Sequence, residues 1–324
     1  MTQRRVGVLL GGWGEERDIS VKTGEAIASA LEGRGHAVTR ILAGPMLDQA
    51  LRHAQVDVAF LALHGRMGED GKVQGLLEVL GLPYTGSGVL ASALAMHKGF
   101  ARRLFRQHNL ATPAGYGVSL VELKQVEERH MDLGFPCVVK PAQGGSSVGL
   151  TLVHTLEQLR PAVAKACRYG GEALVERYVK GREVTVAVLG GEVLGACEVS
   201  YPGGTFDFET KYQGGARYHV PPRLGPTRLA NIEAMALAAY RALGCRGAAC
   251  IDFICPDAGN EVLLEVNTLP GMTPTSLFPK IARHAGLSFD DLCERILSLA
   301  GRDGADVLPE VPVPSMPSEE RHAC

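Results

Sequence analysis

Asp252, Glu265 and Asn267 are the residues whose types and spacing say most about chemistry. Two strand-like runs, 248–255 and 261–267, flank the turn-forming sequence PDAGN and read as a hairpin. With Ala258 and Gly259 as its two-residue loop, counting back along both strands sets Asp252 opposite Glu265. Asn267 lies two residues further and shares their face, because strand side chains alternate. Three oxygen donors then converge, with no nitrogen or sulfur ligand among them. Hard oxygen donors with only two carboxylates suit Mg²⁺ held partly through substrate phosphates. The ordinary alternative is the wet face of a hairpin. Against it, Val262, Leu263, Leu264 and Val266 make the second strand largely apolar, where two uncompensated carboxylates are costly.

Phosphate-binding candidates lie earlier in the chain. Lys140 ends an apolar run and is followed by Gly144, Gly145, Ser146, Ser147 and Gly149. Such a loop can bring backbone N–H groups close to phosphate oxygens, with the lysine as a compact counter-charge. The order is not that of a P-loop, in which the lysine follows the glycines. Lys98 and Lys211 are further cations. Lys211 sits in GGTFDFETKYQGG, an aromatic segment between glycine pairs that could close over a site and exclude water. Each group also has a plainer reading: a mobile turn at 144–149, a solubilising charge at Lys98, a twisted core strand around Lys211.

The elements that must position these groups follow two rhythms. Strands are expected at 6–10, 37–41, 58–63 and 83–85, with helices at 19–31 and 73–80 between them. Buried apolar strands separated by helices predict a parallel sheet covered on both faces, with ligands beyond the carboxyl ends of its strands. A helix at 92–107 carries Lys98, and 89–96 is apolar enough for a core or a dimer interface. A strand at 135–140, a helix at 157–167 and a strand at 172–176 come next. The pattern then turns antiparallel, with a hairpin of 183–189 and 192–199 across Gly190-Gly191 and a long helix at 227–243 before the last hairpin. The expected organisation is an N-terminal α/β domain at 1–90, α+β domains at 91–180 and 181–306, and a proline-rich tail at 307–324.

Composition limits the function classes. A length of 324 residues suits two or three modest domains. Lys plus Arg number 33 against 35 Asp plus Glu, so bulk electrostatic capture of nucleic acid is not expected. The eight cysteines form no close CxxC pair, which argues against zinc knuckles and a redox dithiol. The first apolar run spans only residues 6–10, too short for a signal peptide or a membrane span, so no membrane association is expected. These features together predict a cytoplasmic protein with reduced thiols.

Seven pieces, in order, resemble the D-alanine–D-alanine ligase family over roughly residues 5–300. They are GGWGEERDIS at 11–20, LHGRMGEDG at 63–71, LPYTGSGVLASALAMHK at 82–98, KPAQGGSSVG at 140–149, VERYVKGREVTV at 175–186, GGTFDFETKY at 203–212, and IDFICPDAGNEVLLEVNTLPGMTPTSLFP at 251–279. The resemblance implies a three-domain ATP-grasp fold that joins two D-alanine molecules for peptidoglycan synthesis, using ATP and Mg²⁺, with Mn²⁺ as a possible substitute. It implies ATP phosphate contacts from Lys98 and Lys140, and an adenine pocket lined by Glu176, Tyr178 and Val179, partly through backbone atoms. Glu183 would bind the ribose, and Asp252, Glu265 and Asn267 the metal. Glu16 would meet the first substrate's ammonium, joined by Ser146 and Tyr212 in one network, with His64 nearby. Tyr212 is the residue type of D-alanine acceptance. Lys211 would stabilise the attacked phosphate, Gly271 the developing oxyanion, and Ser276 and Leu277 the second substrate's carboxylate. A homodimer is also implied.

Two positions depart from the family pattern. Cys250 stands where relatives carry an arginine, two residues before the first metal aspartate. Loss of one oxyanion donor costs about 2.7–4 kcal/mol of transition-state stabilisation. A Cys250→Arg chain would turn over faster if that missing cation limits the rate. Gly144 stands where many relatives have glutamate. These changes keep two alternatives open: a ligase for another amino acid pair, and a weakly active nucleotide-binding homologue.

Overall fold

The computed structural model describes residues 3–14, 16–130, 132–145, 147–200 and 216–304. Ser146, Lys211, Tyr212 and the tail at 307–324 lie outside the described residues.

Alternation along β1 (Arg5–Gly11) decides the first layer arrangement. Val6, Val8 and Leu10 face α1 (Arg17–Gly33), meeting Ile27 and Leu31. Leu9 points the other way, into a second core with Leu47 and Leu51 of α2 (Leu47–Ala54) and Val73 and Leu77 of α3 (Lys72–Val79). Parallel pairing of β1 with β2 (Ala37–Ala43) and β3 (Val58–Leu61) gives the order β2-β1-β3. The parallel N-terminal sheet covered on both faces is thus as the sequence predicts. The expected strand at 83–85 is reduced to Tyr84, which bridges Ala59 and Gly301.

The single helix expected at 92–107 is two helices, α4 (Val89–Met96) and α5 (Lys98–Gln107). Tertiary contacts outweigh the continuous helical pattern. His97 leaves helical geometry and its ring caps Phe100 N–H, while the Lys98 N–H donates to the Ala142 carbonyl at 2.9 Å. The break places Lys98 at the first position of a helix rather than on the side of one.

A four-stranded antiparallel sheet has the order β4-β7-β5-β6: β4 (Gly115–Ser119), β5 (Cys137–Pro141), β6 (Thr151–Val153) and β7 (Glu172–Arg177). One face packs Val118, Val139, Val153 and Val175 on Leu159, Ala162 and Val163 of α7 (Leu156–Cys167). The short 3-10 turn (Leu120–Gln125) and α6 (Val126–His130) close its edge. Val138 and Lys140 therefore point to the opposite face, beside Glu176, which pairs with Val138.

The third sheet has the order β10-β9-β8-β11-β12: β8 (Arg182–Leu189), β9 (Glu192–Ser200), β10 (Arg217–His219), β11 (Ala248–Cys255) and β12 (Val262–Asn267). Gly190 and Gly191 both have positive φ, at 62° and 83°, which gives the two-residue hairpin turn expected there. One face buries Val184, Val186, Ala249, Ile251 and Phe253 against Ile232, Ala236 and Tyr240 of α8 (Pro226–Ala242). The other face carries Thr185, Cys197, Cys250 and Asp252. Its far end packs on α9 (Leu277–His284) and α10 (Phe289–Ser298) and shares a core with β1 and α1.

The last hairpin corrects the expected turn. Its connection is 256–261, not Ala258-Gly259 alone, and the pairing near it sets Phe253 opposite Leu263. A one-residue bulge then restores Asp252 opposite Glu265 and Cys250 opposite Asn267. The facing pair is right although the turn assumed for it was not.

Phe253 is fully buried between the last hairpin and α8. Phe253→Ala is expected to destabilise the third sheet by about 3–5 kcal/mol, read as a lower urea midpoint for the transition in which that sheet unfolds.

Candidate active site

A cavity of about 440 Å³ lies between the polar faces of the second and third sheets. Its walls come from both: Val138, Lys140 and Glu176 on one side, and Glu183, Asp252, Ile254 and Glu265 on the other. Tyr178 and Val179, in the connection between β7 and β8, line it as well, as do Gly144, Gly145, Ser147 and Val148 of the glycine-rich loop.

Ion pairs fix the positions of its cations. Lys140 Nζ lies 2.8 Å from Glu176 Oε2, and Arg102 from α5 meets Glu176 Oε1 at 3.0 Å. The carboxylate of Glu176 is thereby committed to internal charges. Arg102 was missed by sequence reading, because an arginine on a helix ordinarily reads as a surface charge. Lys98 Nζ donates to the Gly144 carbonyl at 2.5 Å and pairs with Glu265 Oε2 at 2.9 Å. One ammonium thus ties the phosphate-loop candidate to the metal-ligand candidate. Gly144 sits at φ 118°, a conformation that strains any side-chain-bearing residue.

Asp252 Oδ1 accepts a hydrogen bond from Thr185 Oγ1 at 2.6 Å, and Asn267 Oδ1 accepts from Leu269 N–H at 3.0 Å. Asp252, Glu265 and Asn267 lie on one face through the register of the bulged hairpin. Among the described residues no cluster of three His, Cys, Asp or Glu side chains could hold a metal. Two carboxylates and an amide oxygen instead fit a hard cation completed by phosphate oxygens.

The N-terminal sheet delivers a second group. Ser20 Oγ donates to the Ala62 carbonyl at 2.6 Å, locking the start of α1 to the end of β3. Glu16 precedes that helix, and its carboxylate fills the space where a Cβ on Gly65 would sit, with Gly145 also near. His64 shares a hydrogen bond of 3.2 Å with Thr23 Oγ1. Burial holds His64 below the ordinary imidazole range, against the opposing pull of Glu16 and the Leu269 backbone, so it is neutral at pH 7. At the other end, Ser276 immediately precedes α9, next to Leu277, and Ser276 Oγ contacts Thr273 Oγ1 at 2.7 Å. A Cβ on Gly271 would press on that same Ser276 Oγ.

Glu69 is a further charged group that sequence reading left out. Its carboxylate accepts the Gly65 N–H at 2.6 Å and lies near Glu16, Lys98 and Glu265. Burial pushes its pKa up to about 8, with Glu16 adding to the rise. The motif LHGRMGEDG contained the signal, but nothing local distinguishes its acids.

Cys250 is buried, in the same apolar cluster as Cys197, Ala187 and Met272. Burial, then Asp252, pushes its thiol well up, so it remains a neutral group. Arg246 does not replace the missing cation. It stacks on Tyr84 at 4.6 Å and lies 3.7 Å from Asp303.

Comparison with known proteins bears on this geometry. A family model described as the D-ala D-ala ligase C-terminus matches residues 116–298, and one for the N-terminus matches 43–87. The chain belongs to the D-alanine–D-alanine ligase family. It is 48% identical over 297 residues to a D-alanine–D-alanine ligase of Anaeromyxobacter sp. (strain Fw109-5), covering 91% of this chain and 96% of that one. It is 46% identical to the Geobacter sulfurreducens ligase, over 90% and 93% of the two chains. Among solved structures, the Bacillus anthracis ligase complexed with ATP superposes with a TM-score of 0.82 at 33% identity, over 92% of this chain and 97% of that one. The Enterococcus faecalis VanG D-Ala:D-Ser ligase gives 0.82 at 27% identity, over 92% and 99%. The fold is thus the mixed α/β ATP-grasp architecture of this ligase family.

The raised Glu69 pKa has a defined consequence for the protein free of nucleotide and metal. Between the unfolded value near 4.5 and about 8, the folded state binds the extra proton, so this group's contribution to stability falls as pH rises and levels off above 8. Unfolding titrations of wild type and Glu69→Gln are therefore expected to diverge over that window, with the variant losing the decline.

Proposed function

We propose that this ligase activates one D-alanine with ATP and joins it to a second, giving D-Ala-D-Ala, ADP and phosphate for peptidoglycan synthesis. The observation that carries the reading is the single face on which Asp252 and Glu265 oppose each other, with Lys98 bridging Glu265 to the Gly144 loop. The high similarity to D-alanine–D-alanine ligases over nine-tenths of the chain supports the same substrates.

A carboxylate is a poor electrophile because its leaving group is poor. One oxygen of the first D-alanine attacks the γ-phosphorus, ADP departs, and an acyl phosphate results. The neutral amine of the second D-alanine attacks the acyl carbon, and the tetrahedral intermediate expels phosphate as the amine proton is released. Positioning and charge stabilisation supply most of the rate. Lys98 and Lys140 orient the phosphates, and the walls near Glu176, Tyr178 and Val179 take the adenine, with Glu183 on the ribose. Asp252, Glu265 and Asn267 would hold Mg²⁺, or Mn²⁺ in its place, and the ion would supply charge neutralisation at the phosphates.

Glu16 holds the first ammonium beside His64, completed by Ser146 and Tyr212. Lys211 steadies the transferred phosphate. The Gly271 N–H faces the oxyanion, while Ser276 and Leu277 receive the second carboxylate. The proposed division is a substrate-side domain at 1–90, a central nucleotide subdomain at 91–180 and a catalytic domain at 181–306. Exposed Val79 and Leu90, on the neighbouring helices α3 and α4, support a homodimer. A cytoplasmic location, where ATP is available, belongs to the same reading; no helix among the described residues is long and apolar enough to cross a membrane.

Phosphate release with ATP, Mg²⁺ and D-alanine, with the dipeptide identified directly, tests the reading; D-serine and D-lactate run alongside. D-Ala-D-Ala as the main product is expected, and ATP hydrolysis without dipeptide would refute it. Asp252→Asn and Glu265→Gln should each lower kcat/KM by about 10²-fold or more, with partial recovery at high Mg²⁺ for the weaker ligand set.

A further inference from the structure

Lys280 lies outside every role assigned above, yet it is placed on the reacting face. It is the fourth residue of α9, one turn in from Ser276, whose carbonyl accepts its N–H at 3.3 Å. Side chains in a helix lean toward the N-terminal end, so its ammonium returns toward Ser276 and Leu277. Its Nζ sits 3.6 Å from the centre of the Tyr218 ring. Tyr218 pairs with Val199, and Val199 with Glu183; Cys197 pairs with Thr185, and Thr185 with Asp252. Because directly opposed residues on paired strands share a face, Tyr218, Cys197, Thr185, Asp252 and Glu265 form one continuous surface. Lys280 comes down onto this surface from above.

The ammonium is half-buried, and its near neighbours are a ring and a thiol. No carboxylate among the described residues forms an ion pair with it. A cation kept there near a helix start is also unfavourable toward the helix dipole, since that end favours negative charge. Both costs fall if an anion enters. The reaction supplies one: the second amino acid keeps its carboxylate throughout, while the first has its carboxylate consumed. Lys98 and Lys140 serve the opposite, nucleotide end, and position 250 offers only a thiol.

We propose that Lys280 is a substrate-binding residue of the acceptor half of the site, its ammonium held on Tyr218 to neutralise the carboxylate of the second amino acid. This rests on the reading that the start of α9 receives that carboxylate. Tyr218 limits the directions the flexible lysine can take, so the charge is presented at one place.

The test uses the full chain with saturating ATP and Mg²⁺ and D-alanine varied through both of its binding steps. Lys280→Met should raise the KM of the second D-alanine about tenfold or more, with kcat changed less than about threefold, and the KM for ATP and the thermal midpoint unchanged. Lys280→Arg, which keeps the charge, should recover most of the loss. Tyr218→Leu, which removes only the seat, should raise the same KM by a smaller factor. A folded Lys280→Met enzyme whose second D-alanine KM stays within about twofold of wild type would overturn the proposal, as would an equal rise in the KM for ATP. If Lys280→Met does not fold, Tyr218→Leu with an unaltered second KM would overturn it. Failure of the wild-type chain to form dipeptide would instead strike the ligase reading itself.

Discussion

The structure depends on two carboxylates being held opposite each other in a strand pair that would otherwise be apolar. Asp252 and Glu265 face each other only because a bulge between Asp252 and Phe253 shifts the register by one. Without that extra residue, one strand's side chains would exchange faces, and a carboxylate would enter the α8 core beside Ile251 and Phe253. The neighbouring groups stabilise the arrangement: Thr185 donates to Asp252, and Lys98 pairs with Glu265. Such a pair is costly to keep for stability alone. It makes physical sense as a binding face for a cation and a polyphosphate.

Other parts of the fold act by bringing distant segments to this face. The α4–α5 break at His97 puts Lys98 over the hairpin, and its N–H bond to Ala142 fixes the following loop nearby. The parallel N-terminal sheet carries Glu16 and His64 in, through the lock between Ser20 and Ala62. The core shared by β1, α1, α9 and α10 holds that sheet against the third one. Glu16 and His64 on one side and Lys98, Asp252 and Glu265 on the other are therefore positioned by packed elements, and the cavity lies where two polar sheet faces meet.

Much of this was legible in the sequence, for identifiable reasons. Strand-like runs flanking turn residues located both antiparallel hairpins, and the Gly190-Gly191 turn needed nothing beyond local chemistry. The Asp252–Glu265 pairing was found from an incorrect turn, because a bulge compensated for the miscounted loop; hydrophobic pattern constrains register more strongly than turn residues do. The continuous helix at 92–107 failed because the groups that break it, Ala142 and Gln143, lie far along the chain. Arg102, Glu69 and Lys280 were invisible for a related reason. Each is an ordinary charged residue on a helix or loop, and only burial beside distant partners marks it out.

The most direct measurement is a crystal structure with a non-hydrolysable ATP analogue and Mn²⁺, whose anomalous scattering locates the ion. The account predicts a peak between Asp252, Glu265 and Asn267, with phosphate oxygens completing the coordination and Lys98 turned to the phosphates. A nucleotide bound with its ion elsewhere, or with those two carboxylates turned apart, would contradict it.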